Sequence, residues 1–208
     1  DNPNVVLYGR LPGFGLTELG HSMAARAAEY LVDSGADITR VISSPLLRAQ
    51  LTAAPTAAAY GLTIESDPRL IESDNVFEGM PVNSNRAMLA NPKYYKYYCN
   101  PLRPSWGEPY RDIASRMSAA LSSALRAARG HEALVVSHQN PIVTLTRFVN
   151  GQPLAHAPKS RHCALASITS FIFSGATLVG TSYAEPAADL VAIAKDMTPG
   201  DSQADLRR

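Results

Sequence analysis

The sequence predicts a three-layer α/β/α fold in which helices cover both faces of a mostly parallel central sheet. Short apolar runs alternate with helical periodicity along the chain, and twice an apolar run ends in a tight junction that opens directly into a helix. Size and composition agree with a single domain over residues 1–208, since 208 residues at 46% hydrophobic and 18% charged fall in the ordinary globular range. A chain of this length buries about 70% of its unfolded surface, so neither a metal nor a disulfide staple is needed.

Residues 17–34 read as the first helix, because Thr17 can cap it, Glu18 suits its positive end, and Leu19, Met23, Ala27, Tyr30 and Leu31 recur at helical spacing. Gly35 closes it. Residues 38–43 form a short apolar strand, and Ser44-Pro45 leads into an Ala-rich helix reaching about Tyr60, with Pro45 in the first turn. A helix carrying Ile113, Met117, Leu121 and Leu125 comes next in this pattern. It precedes Ala133-Leu134-Val135-Val136, an unbroken apolar run of the kind found in buried parallel strands, after which Asn140-Pro141 starts a helix ending near Asn150-Gly151. Residues 166–173 and 177–183 read as a hairpin joined by Ser174-Gly175-Ala176. Between about 74 and 108 the periodicity lapses into prolines and the cluster Tyr94-Tyr95-Lys96-Tyr97-Tyr98, which predicts an inserted lid. The tail after about 185 is polar and is expected to fray.

With 19 Lys+Arg against 18 Asp+Glu the net charge is +1, too weak a field to draw in nucleic acid or an anionic membrane. Cys99 and Cys163 stand far apart and outside any C-x-x-C spacing, so no disulfide framework is indicated and a cytoplasmic location is expected. No histidine pair has metal-ligand spacing, and neither a metal nor another cofactor is expected.

In parallel sheets, ligands bind beyond the carboxyl ends of strands, where helix N-termini offer free N–H groups and partial positive charge. Two such junctions here hold a basic side chain: Ser43-Ser44-Pro45-Leu46-Leu47-Arg48 and Ser137-His138-Gln139-Asn140-Pro141. Together Arg48 and His138 suit an anion, most simply a phosphate. Glu72 and Glu78 flank the segment before the lid, and either could act as general acid if burial raised its pKa. The Gly-rich loop from Tyr8 to Gly15 contains Arg10 but lacks the Gly-Lys-Ser/Thr of a nucleotide-binding P-loop. His21, His131, His156 and His162 read as structural or solvent-facing.

The ordered set Gly9-Arg10, Leu16-Thr17-Glu18-Leu19-Gly20, Ser43-Ser44-Pro45-Leu46-Leu47-Arg48, Leu70-Ile71-Glu72, Phe77-Glu78-Gly79, Gly107-Glu108 and Val136-Ser137-His138 resembles the histidine phosphatase superfamily, the phosphoglycerate mutase-like proteins. The resemblance spans nearly the whole chain. It implies a nucleophilic histidine that becomes phosphohistidine and is then hydrolysed or passes its phosphoryl group to an acceptor. Arg48 would clamp the phosphate oxygens, His138 would be the second histidine, and Glu72 the acid, with Glu78 as the alternative. Asn2, Arg10 and Gln139 would bind substrate. The superfamily's Arg-His-Gly triplet is absent, for Arg161-His162 is followed by Cys163 and comes far too late. The nucleophile is therefore expected on a first strand upstream of Asp1. Its loss should leave two neighbouring strands unpaired in the core and the 208-residue chain inactive by itself. The expected reaction is hydrolysis of a small phosphorylated substrate, with a phosphoglycerate mutase or a non-catalytic phospho-ligand-binding module as alternatives. The lid, with Arg86, Lys93, Lys96 and Arg103, would set substrate choice, and homo-oligomerisation is left open.

Overall fold

The computed structural model describes residues 6–81, 90–97, 107–156 and 160–194. Its centre is a parallel three-stranded sheet built from β1 (Ile38–Ser43), β2 (Ile64–Ser66) and β3 (Glu132–Val136), in the order β2-β1-β3. β1 is the middle strand, with Val41 opposite Ile64 on one side and Leu134 on the other, and its Val41 and Ser43 are fully buried. The side chains alternate between two cores, as strand geometry requires. Val41, Leu134 and Val136 face the layer made by α1 (Glu18–Asp33) and α2 (Leu47–Ala59), whereas Ile42 and Val135 face α3 (Tyr110–Ala128) and α4 (Gln139–Val149). On the second face Ile113 and Met117 are almost wholly buried, each worth roughly 2 kcal/mol of transfer free energy.

Thr17 caps α1 by accepting a hydrogen bond from the Gly20 N–H at 3.1 Å. The buried face of α1 is Met23, Ala24, Ala28 and Leu31, while Tyr30 is exposed. The expected stripe is rotated because α1 packs on Ala49, Ala53 and Ala57 of α2, and alanines on both helices allow close approach where a tyrosine would not fit. α2 begins two residues after Pro45, with Leu46 at the N-cap position.

The hairpin consists of β4 (Ile168–Ser174) and β5 (Thr177–Ala184), antiparallel, with Ser174 paired to Thr177. The connecting loop is thus Gly175-Ala176, one residue shorter than expected, because Gly175 at φ +61° supplies the left-handed backbone that a tight turn needs. The strand also starts later than expected, as Ala166 sits in a turn at φ +52°. The expected frayed tail is corrected as far as residue 194. Residues Ala188–Ile193 form a short helix, α5, whose Val191 packs with Ala187 against Met23 of α1. Apolar contact, which a polar-tail composition does not reveal, holds it there.

Of the expected lid, residues 82–89 and 98–106, with Arg86 and Arg103, lie outside the described residues. The described part is a 3-10 helix, Pro92–Tyr97, in which Tyr94 and Tyr97 set their rings edge-on to buried Phe77. Asn75 and Gly107 close the base of the insertion through an antiparallel bridge.

Among the described residues β3 pairs only with β1, and β4 only with β5. A cavity of about 1530 Å³ runs between β3 and β4 and reaches the strand ends. β3 is consequently only half-buried, although its run of apolar residues predicted burial on both faces. No described helix is long and apolar enough to cross a membrane.

Candidate active site

The carboxyl ends of β1 and β3 lie side by side, with Ser43 in register with Val136, so the two strand-to-helix junctions meet. They are tied together. The Ser44 N–H donates to the Val136 carbonyl at 2.9 Å, and Ser44 Oγ lies 2.8 Å from His138 Nε2. Gln50, one turn into α2, donates to the Ser44 carbonyl at 2.6 Å and fixes the bend. Neither α2 nor α4 has a side-chain cap, which leaves the positive ends of both helices turned toward the cavity.

Arg48 follows from that bend. Its Nη2 donates to the Gly9 carbonyl at 2.8 Å and its guanidinium lies 4.7 Å above the Tyr8 ring, while Nη1 is buried with no hydrogen-bond partner among the described residues. Burial lowers the guanidinium's pKa, and Tyr8, Glu72 and Glu78 act in the opposite direction. A buried N–H without a partner costs roughly 1–3 kcal/mol, more on a charged group, so this nitrogen is suited to an incoming oxyanion. His138 is 7% exposed, and burial, followed by the charges of Arg48 and Arg116, pushes its pKa down to about 3. It is a neutral imidazole at physiological pH.

Glu72 lies half-buried in the cavity wall, just beyond the 3-10 turn Pro68–Leu70. Its Oε1 accepts from the Ser73 N–H at 2.8 Å and from Ser73 Oγ at 3.2 Å, and Asn140 Nδ2 donates to Ser73 Oγ at 2.8 Å. Crowding by protein pushes its carboxyl upward in pKa, outweighing the Ser73 amide and the charges of Arg48 and Arg161. A carboxyl whose pKa burial raises, with an arginine's charge acting on it, is the arrangement a general acid needs. Glu78 does different work. One oxygen accepts from the Arg10 N–H at 2.8 Å and lies so close to Gly9 that a Cβ there would collide with the carboxylate.

Arg10, expected to reach substrate, is directed elsewhere. Its Nε donates to the Glu72 carbonyl at 2.7 Å and its Nη2 to Glu108 at 2.8 Å. Glu108 also accepts from Nε and Nη2 of Arg116, at 2.8 and 3.0 Å, and Arg116 donates to the Arg69 carbonyl, so two arginines joined through Glu108 grip the segment that ends in Glu72. Ser137 adds a bond to the Leu70 carbonyl at 2.7 Å. Gln139 lines the cavity and donates to the Cys163 carbonyl at 3.0 Å. Asn2 lies outside the described residues. Sequence reasoning missed Arg116, Ser73 and Asn140: a polar residue on an amphipathic helix reads as solvated surface, and no periodicity reveals which carbonyl it will meet. Among the described residues, no group of three or more His, Cys, Asp or Glu could hold a metal.

The match to the model of the histidine phosphatase superfamily (branch 1) runs over residues 2–185, nearly all the chain that carries these junctions. The chain belongs to the histidine phosphatase superfamily. An uncharacterized Mycobacterium tuberculosis protein, Rv0525, is 50% identical over 187 residues, which cover 90% of this chain and 92% of that protein. A probable phosphoglycerate mutase, GpmB of Yersinia pestis, is 36% identical over 160 residues, 74% of this chain and 72% of the relative. Among solved structures, Bacillus stearothermophilus YhfR superposes with a TM-score of 0.67 at 25% identity, covering 82% of this chain and 86% of that one. Mycobacterial glucosyl-3-phosphoglycerate phosphatase Rv2419c shares the fold, with a TM-score of 0.63 at 23% identity over 86% of this chain and 92% of that one. The relatives thus include a probable phosphoglycerate mutase, and the three-layer fold is shared with a solved phosphatase.

Proposed function

We propose that this protein is a metal-independent phosphomonoesterase of the cytoplasm, working as one domain on a small phosphorylated substrate through a phosphohistidine. The observation that carries the reading is the buried, unpartnered Nη1 of Arg48 in the same cavity as Glu72 and neutral His138. Arg48 would hold the equatorial phosphoryl oxygens, where phosphoryl transfer concentrates charge. Ser44 Oγ accepts weakly from the Leu46 N–H at 3.4 Å and, in this reading, donates its own proton to His138 Nε2, so that the neutral ring keeps its proton on Nδ1 as a donor. The nucleophilic histidine comes, in this reading, from a strand upstream of Asp1 that fills the cavity between β3 and β4, pairing with both unpaired edges. Its imidazole nitrogen forms a bond to phosphorus as the ester P–O bond breaks, and Glu72 gives its proton to the leaving oxygen. Water then attacks phosphorus, the P–N bond breaks, and Glu72 takes the water's proton. Arg10, Glu108 and Arg116 position Glu72 rather than touch substrate.

The 208-residue chain is expected to bind orthophosphate and form no phosphohistidine. The same chain carrying an upstream strand that ends in Arg-His-Gly should form one and release phosphate from 4-nitrophenyl phosphate. Trapping labelled phosphate on any histidine of residues 1–208 would overturn the assignment. The mutase-named relative supports a second reading, phosphoglycerate mutase, which isomerisation of 3-phosphoglycerate without phosphate release would favour. Tight phosphate binding with no turnover even when the strand is present would favour a non-catalytic binding module.

A further inference from the structure

A second guanidinium approaches the same cavity from the opposite loop. Arg161 lines the cavity, half-buried, on the segment between α4 and β4, and Glu72 and Cys163 both feel its charge. It is aimed rather than loose. His156 Nδ1 lies 2.7 Å from the Leu154 carbonyl and must donate to it, so Nε2 carries a lone pair, and Arg161 Nε donates to that lone pair at 3.2 Å. The Tyr110 ring, 5.3 Å away, packs on the imidazole. Burial, together with the charges of Arg161 and Arg147, lowers the His156 pKa and keeps the acceptor available. With Nε used in this way, the two terminal nitrogens of Arg161 have no hydrogen-bond partner among the described residues, and the fork that recognises oxyanions is left open. Burial pushes the carboxyl of Glu72, another residue of the cavity lining, upward in pKa against the pull of Arg161.

The described part of the lid offers no equivalent. Lys93 and Lys96 sit over the rings of Tyr94 and Tyr97, at 4.7 and 4.9 Å, and no residue of Pro92–Tyr97 lines the cavity.

We propose that Arg161, held by His156, is the docking point for a second oxyanion, so that the preferred substrate is a phosphomonoester carrying a carboxylate or second phosphate on its organic part. This rests on the reading of Arg48 as the phosphate clamp. Arg48 takes the scissile phosphate at the β1–α2 junction, and Arg161 takes the other anionic end from the loop before β4.

The test is calorimetric titration of the 208-residue chain with propyl phosphate and with 3-(phosphonooxy)propionate, its counterpart bearing a carboxylate. The wild type should prefer the carboxylated ligand by about tenfold, the gain expected of one partly desolvated charge pair. Arg161→Gln should bring that ratio close to one. Arg161→Lys, which keeps the charge, should restore part of it, and His156→Phe, which keeps the ring packing but removes the acceptor, should lower the ratio while the charge remains. Arg48→Gln should weaken both ligands alike. Equal affinities in the wild type, or an Arg161→Gln loss equal for both ligands, would overturn the second-anion site and leave the phosphate clamp standing. Failure of both ligands and of orthophosphate to bind would overturn the clamp and this inference with it.

Discussion

The two strand-to-helix junctions use one backbone device for opposite electrostatic ends. β1 and β3 are parallel neighbours in register, each turns into a helix with no side-chain cap, and each presents a basic residue type at the turn. At the β1–α2 junction burial lowers the pKa of that residue, Arg48, against the pull of Tyr8, Glu72 and Glu78, and a guanidinium keeps its charge at neutral pH. At the β3–α4 junction it is neutral, because His138 is buried against Arg48 and Arg116 and the hydroxyl of Ser44. Where two cations would repel each other across one pocket, the group with the lower intrinsic pKa gives up its proton. In the proposed reading Arg48 supplies attraction, and His138 supplies shape and a neutral hydrogen bond.

The largest effect should separate these roles directly. Arg48→Ala should weaken orthophosphate binding by about a hundredfold or more, since it removes a buried charge, whereas His138→Ala should cost binding only a few-fold. In a chain that carries the upstream strand, His138→Ala should instead lower turnover severely. Equal losses of phosphate affinity in the two variants, measured by titration, would erase the distinction.

Next in size is the pH dependence of stability. His138 titrates near 6.5 when unfolded and about 3 when folded, so in that window the unfolded chain binds the extra proton. Stability is then fully present above pH 6.5 and falls as pH drops toward 3, by up to a few kcal/mol. The melting temperature of His138→Gln, followed across this range, should fall less steeply than the wild type's. Glu72 has the opposite sign. Its folded pKa is raised, so it loses stability as pH rises through that value, and Glu72→Gln should melt higher than the wild type at pH 8 and show little difference at pH 4.

The smallest effect tests the tie between the junctions. Ser44→Ala removes the hydrogen bond to the buried ring and the weak one from the Leu46 N–H, and should cost about 1–2 kcal/mol, or a few degrees in melting temperature. A loss of several kcal/mol would show that Ser44 organises both junctions rather than these contacts alone.

Much of this was legible in the chain. β1 follows from the apolar run 38–43, the cap of α1 from Thr17, and both junctions from Ser-Ser-Pro and Ser-His before helical patterns. Glu72 could be named only through its place in an ordered set of motifs, because nothing in Leu70-Ile71-Glu72-Ser73 distinguishes a cavity carboxyl from a solvated one. Arg10 meets a related limit: a loop arginine suits phosphate as well as carboxylate, and its pairing with Glu108, 98 residues away, is fixed only by folding. Tyr30 and α5 failed because helix-facing and terminal docking depend on partners that periodicity does not include.

The sequence by itself determined the order of elements, the parallel three-layer architecture and the two residues that stand at adjacent strand ends, because periodicity, capping and apolar runs are local properties of the chain. Tertiary structure decided which groups carry charge and which carboxyl faces the cation. It also decided that Arg161 returns to the same cavity through His156. Protonation and pairing depend on desolvation and on charges brought within a few ångströms by folding, and neither is written in the spacing of residues along the chain.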